Sequence, residues 1–226
     1  MIYITGDVHG ELERLFEIAD TRNLKSGDKL IICGDFGFIW ETRSRKGDFE
    51  DKILDKISEF PFEILWVDGN HENFNKLYKY PEVKRYGSNT HKIRDNIYHL
   101  ERGRLYTIDN YTFFVFGGAF STDRGWRVKN FSWWEQEIPS GEEMDRGTQT
   151  MVDCGFKVDY ILTHTAPSEI MRRMGYGPDR HDAEFTGYLE WIMYETNFRK
   201  WFFGHFHEDK QVTDRMIAVY KKVHTV

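Results

Sequence analysis

Three short apolar runs, each breaking into a loop that carries an acid, an amide or an imidazole, open this 226-residue chain. Ile2-Tyr3-Ile4 is closed by Thr5-Gly6 and followed by Asp7-Val8-His9-Gly10. Residues 29–33 (KLIIC) run into Gly34-Asp35-Phe36-Gly37, and residues 63–67 (EILWV) into Asp68-Gly69-Asn70-His71-Glu72. Runs this short, rich in β-branched residues and bounded by glycine, read as buried strands. Between them the apolar spacing becomes helical. Leu12, Leu15, Phe16 and Ala19 share one face of residues 11–20. Phe49, Ile53, Ile57 and Phe60 share another over residues 48–59, with Pro61 as the stop. A charged loop, residues 41–47, precedes this second helix. Three β-loop-α units in succession predict an α/β protein with parallel strands. In such sheets, sites form beyond the carboxyl ends of the strands.

The second half begins differently. Residues 97–100 and 104–108 read as strands, and Asp109-Asn110 turns the chain into a third, 111–116, so a hairpin is expected. Gly117-Gly118 ends that strand, and residues 119–134 are irregular. Ser140-Gly141-Glu142-Glu143 fits a capping box and starts a helix over 141–153. Residues 160–163 form a strand ending in His164. Helices over 168–174 and 183–197 follow. A strand over 200–203 then runs into Gly204-His205-Phe206-His207, and 215–220 is the last strand.

Length and an apolar content of 40% set a single domain, residues 1–226, as the expectation. A net charge of -6 argues against broad affinity for nucleic acid. No apolar run reaches the roughly 18 residues of a membrane span. The N-terminus opens in a strand without a signal-peptide pattern, so a cytoplasmic location is expected. Cys33 and Cys154 make no disulfide framework.

Five strand ends therefore carry candidate ligands: Asp7 with His9, Asp35, Asn70 with His71, His164, and His205 with His207. Any one of these side chains alone reads as loop or turn chemistry. Recurrence at five strand ends does not. His205 and His207 would repel if both were charged, and neutral coordination of a metal relieves that. Clustered carboxylates and imidazoles suit divalent first-row metals.

As an ordered set, Asp7-Val8-His9-Gly10, Gly34-Asp35, Gly69-Asn70-His71-Glu72, His164 and Gly204-His205-Phe206-His207 resemble the calcineurin-like metallophosphoesterase superfamily. The resemblance spans residues 7 to 207. It implies a four-layer α/β/β/α sandwich with two mixed sheets and a dimetal site at one edge. Carried over position by position, it puts Asp7, His9, Asp35 and His207 on one metal. It puts Asn70, His164 and His205 on the other, with Asp35 bridging. His71 would face the substrate as the catalytic residue. The implied activity is hydrolysis of phosphomono- or phosphodiesters, small nucleotide-like ones foremost, by in-line attack of a metal-bridging hydroxide. Manganese is the first expectation for the two ions, with iron, zinc or nickel as alternatives, because magnesium and calcium prefer all-oxygen shells.

The chain departs from the phosphatase branches of that superfamily in one respect. No Arg-containing D-R-G-like turn follows Gly34-Asp35. Another cation must hold the substrate phosphate, or the metals alone do so. Arg43 and Arg45 in one loop, and Arg124, Arg127 and Lys129 in another, are the candidates, with Arg124 and Arg127 preferred. The stretch 118–134 is long, irregular and aromatic, and is expected to form a lip that reads the substrate. A metal-dependent nuclease and a catalytically silent metal-binding scaffold are the competing functions. Neither a membrane nor nucleic acid is a favoured partner.

Overall fold

Every strand in the two sheets' centres buries both of its faces, and that double burial dictates four layers. The computed structural model describes residues 1–40, 49–177 and 179–226. The loop over 41–47, with Arg43 and Arg45, and Asp48 of the expected second helix lie outside the described residues.

The first sheet contains β1 (Ile2–Thr5), β2 (Lys29–Ile32), β3 (Glu63–Val67), β4 (Glu82–Arg85), β5 (Ser88–Arg94) and β6 (Ile97–Leu100). The second contains β7 (Arg104–Ile108), β8 (Tyr111–Phe116), β9 (Tyr160–Thr163), β10 (Lys200–Phe203), β11 (Lys210–Gln211) and β12 (Met216–Ala218). β13 (His224–Thr225) returns to the first sheet. The strand orders are β13-β1-β2-β3-β6-β5-β4 and β11-β12-β10-β9-β8-β7. β1, β2, β3 and β6 run parallel, as do β8, β9, β10 and β12. The outer strands are antiparallel, so both sheets are mixed.

Side-chain alternation along the strands supplies three cores. Ile4, Ile31 and Val67 point toward the second sheet and meet Val115, Leu162 and Phe202. Tyr3, Ile32 and Trp66 point the other way, onto α1 (Leu12–Arg22) and α2 (Phe49–Ser58). Phe114, Ile161 and Trp201 face α4 (Gly141–Asp153), α5 (Ser168–Met174) and α6 (Ala183–Glu195). A short α3 (Phe74–Leu77) follows β3. The predicted hairpin and the α4 capping box are both present.

Two sequence readings need correction: the strand expected over 215–220 spans only Met216–Ala218 and is followed by β13, and one residue of α2 faces the other way. Phe49 does not face inward: it is 72% exposed, and the buried positions of α2 are Glu50, Leu54 and Ile57. Glu50 takes the inward place because its carboxylate accepts from the Trp40 amide and pairs with Lys76. Strands β4 and β5 carry too little apolar sequence to show a strand pattern, since they extend the sheet at its edge.

Candidate metal centre

The loops leaving β1, β2, β3, β9 and β10 converge, and the seven expected ligands and His71 meet there. Asp7, Asp35, Asn70 and His164 are buried, whereas His9 and His207 reach the surface. The backbone is bent to aim them. His9, Asp35, His205 and His207 all have left-handed φ values of 51°, 48°, 72° and 51°. Non-glycine residues adopt that region at a cost of order 1–3 kcal/mol. The motif glycines make room. A Cβ on Gly34, whose φ is 98°, would stand 1.9 Å from His164 Nδ1. A Cβ on Gly204 would stand 2.2 Å from Asp7 Oδ1 and 2.5 Å from the Cys33 carbonyl.

Asp35 presents one oxygen to each side of the cluster. Its Oδ2 is 3.7 Å from His9 Nε2 and its Oδ1 is 3.5 Å from His164 Nε2. On one side, His207 Nε2 lies 2.9 Å from His9 Nε2 and 3.2 Å from Asp7 Oδ2. On the other, His164 Nε2 lies 3.0 Å from Asn70 Oδ1. His164 Nδ1–H donates to the Cys33 carbonyl at 2.9 Å, which leaves a lone pair on Nε2. The Asn70 amide nitrogen donates to Ser121 Oγ at 3.0 Å, which turns its carbonyl oxygen to His164. Two buried acceptors thus face each other without a proton between them. A cation satisfies both, so the donor set fits a metal ion. The His205 ring stands edge-on to His164 with centroids 5.0 Å apart, and its amide donates to Asp7.

Electrostatics favour the ligating forms. Burial alone would raise the Asp7 pKa, but a hydrogen bond from His207, the nearby His164 and the His205 amide outweigh it and bring it down to about 2. Burial and the neighbouring His164 hold the His205 imidazole down to about 4. Both groups are therefore metal-ready at neutral pH.

His71 sits at the rim. Its amide donates to Asp35 Oδ1 at 2.8 Å, and its ring stands edge-on to His9 with centroids 5.4 Å apart. Arg127 reaches it, with Nη2 3.1 Å from His71 Nε2. Burial lowers the His71 pKa, and Arg127 lowers it further against the pull of Asp35. Arg124 is turned elsewhere. It donates to Glu137 at 3.1 Å and stacks over Phe120 and Trp133. Lys129 pairs with Glu135. Trp134 is fully buried and packs edge-on to Trp40, while Trp126 is 94% exposed.

Several supporting residues were given no role from sequence. Arg14 is buried, donates to the backbone carbonyls of Asp7 and Tyr220, and lies over the Tyr220 ring, which stacks on His207 at 4.6 Å. The signal was its place four residues before Ile18, on the inward face of α1. Glu72 is buried and accepts from the Phe36 amide at 2.8 Å, which pins the Asp35 loop. Burial and the nearby Asp35 push its pKa well up. Asp68 receives Arg102 at 2.7 Å and His99 at 3.0 Å beneath the Asn70 loop. Arg102 holds Asp68 down to about 2 against its burial.

No curated protein matches the chain. A 2.05 Å crystal structure described as a putative 5'-nucleotidase from Staphylococcus aureus, in complex with alpha-ketoglutarate, superposes on 98% of this chain and 49% of its own, with a TM-score of 0.50 and 15% identity. The chain thus spans about half the length of that structure and shares its fold. The family model for calcineurin-like phosphoesterases matches residues 1–209, and this chain belongs to that family.

Proposed function

We propose that the chain hydrolyses small phosphomono- or phosphodiesters, nucleotide-like ones foremost, using two divalent transition-metal ions. Asp7, His9, Asp35 and His207 would hold one ion, and Asp35, Asn70, His164 and His205 the other. The observation that carries this reading is the apposition of the lone pairs of His164 Nε2 and Asn70 Oδ1 at 3.0 Å. The split of Asp35 between His9 and His164 supports its bridging role. Mixed nitrogen and oxygen donors favour manganese, iron, zinc or nickel, with manganese first. When bound, such a pair lowers the pKa of water and draws charge from the phosphoryl oxygens.

The chain's own residues handle the rest. Arg127 takes the place of the arginine missing after Gly34-Asp35. In the free protein its guanidinium donates to His71 Nε2, so the His71 proton sits on Nδ1. A phosphoryl oxygen is a better acceptor for a guanidinium than a neutral imidazole. Substrate therefore draws Arg127 onto phosphate and frees the His71 Nε2 lone pair, which takes up a proton from water and passes it to the departing oxygen. Trp126, exposed one residue before Arg127, offers a ring face for a base joined to that phosphate. Arg127 and Trp126 together support the lip expected over residues 118–134.

The test is a hydrolysis screen of metal-loaded protein against nucleoside monophosphates, cyclic nucleotides, simple diesters and single-stranded DNA. Turnover of a small ester with manganese is expected. Preference for DNA would favour the nuclease, and no turnover with any of the four metals would favour the silent scaffold.

A further inference from the structure

A second group of metal-ligating side chains lies away from the centre described above. Register puts Glu82 of β4 opposite His91 of β5, and His91 opposite His99 of β6. Glu101 follows His99 by two residues, which returns it to the same face. One ligand atom each from Glu82, His91 and Glu101 fall within 4.8 Å of one another. They line a cavity of about 390 Å³ together with Asp68, Tyr78 and Arg102.

Hydrogen bonding presets the histidine. The Asp68 carboxylate accepts from His99 Nε2–H at 3.0 Å, so His99 Nδ1 is the acceptor nitrogen. His91 Nδ1 stands 3.1 Å from it and must donate. The lone pair of His91 is then on Nε2, for which no hydrogen-bond partner exists among the described residues. Carboxylate-to-histidine support of this kind fixes the tautomer of metal-binding imidazoles. His91 is only 6% exposed, so this arrangement is built rather than adventitious. Independently, Glu101 Oε1 is buried without a hydrogen-bond partner among the described residues, while its other oxygen pairs with Arg104 at 3.2 Å. An orphaned carboxylate oxygen is costly unless a cation or donor meets it.

We infer that Glu82, His91 and Glu101 form a further binding site for a divalent transition-metal ion, supported by the His99–Asp68 relay. One imidazole with two carboxylates is a donor set that zinc accepts, with a fourth position left to water. Glu82 is exposed and accepts from the Asn89 side-chain amide at 3.2 Å through Oε2, which leaves Oε1 for the ion. The site stands beside Asp68, two residues before Asn70, so its occupancy braces the strand end that carries the candidate metal centre.

Zinc titration of the full chain with side-chain ¹⁵N NMR of the histidines tests this. His91 Nε2 should shift on binding, with Kd below about 10 μM. By elemental analysis, His91→Ala should carry one zinc fewer per chain than the parent. Glu82→Gln, an exposed change that leaves the core intact, should weaken that ion at least tenfold. Circular dichroism and thermal unfolding of both variants identify any loss caused by misfolding. An unshifted His91 resonance at saturating zinc, or equal zinc content in parent and folded His91→Ala, overturns the site.

Discussion

Arg127 Nη2 stands 3.1 Å from His71 Nε2, so a cation at the rim of the candidate metal centre is bonded to the imidazole proposed to act there. Asp123 and the Ser132 carbonyl hold the rest of the guanidinium, with Nε 2.9 Å from the carboxylate and Nη1 3.3 Å from the carbonyl. Arg127→Ala should raise KM at least tenfold, the equivalent of about 1.4 kcal/mol of lost binding. Arg127→Lys should recover only part of it, because a point charge does not match the guanidinium fork. Steady-state kinetics with metal content unchanged checks this. A kcat/KM within about twofold of the parent removes Arg127 from the substrate.

His71→Ala should keep its metals and lose about 10²–10⁴ in kcat. A substrate with a very good leaving group, such as an ester of an acidic phenol, should feel the loss least. Equal losses on good and poor leaving groups would assign His71 to charge stabilisation instead.

Arg124 is proposed to act at a distance. It donates to Glu137, whose carboxylate also accepts from Ser121, and Ser121 in turn fixes the Asn70 amide. Arg124→Ala should therefore weaken metal binding more than substrate binding. The expected pattern is at least a fivefold rise in the metal concentration needed for half-maximal activity, with KM for substrate changed less than twofold. A KM effect at saturating metal would instead put Arg124 on the substrate.

Asp68 and Arg102 form a fully buried pair beneath the Asn70 loop. Arg102→Leu leaves the Asp68 carboxylate buried without its main partner and should cost about 3–5 kcal/mol in stability. Denaturant unfolding measures it. A change under about 1 kcal/mol would mean that His99 and solvent compensate the charge.

Much of this arrangement was legible in the chain itself. Central strands such as 29–32 and 63–67 bury both faces, so they read as continuous apolar runs. The ligand-bearing loops were legible for a related reason: each follows such a run within two or three residues. The edge strand Glu82–Arg85 was not, because one face meets solvent and no apolar period marks it. Nor were the contacts that orient the ligands. Ser121 to Asn70, Arg14 to Tyr220 and Arg127 to His71 each join residues more than fifty positions apart. Such pairings are set by packing of the two sheets and leave no local pattern. Phe49 misled for the opposite reason, since an apolar residue at the expected spacing yielded its place to a partnered carboxylate.

The central claim is that Asp35 joins two metal ions, and elemental analysis of the parent and Asp35→Asn, both saturated with manganese, tests it most directly. Asp35→Asn, folded by circular dichroism, should carry two ions fewer per chain and have no turnover. Loss of no ion, or of only one with the other still tightly held, would contradict a dinuclear centre bridged by Asp35.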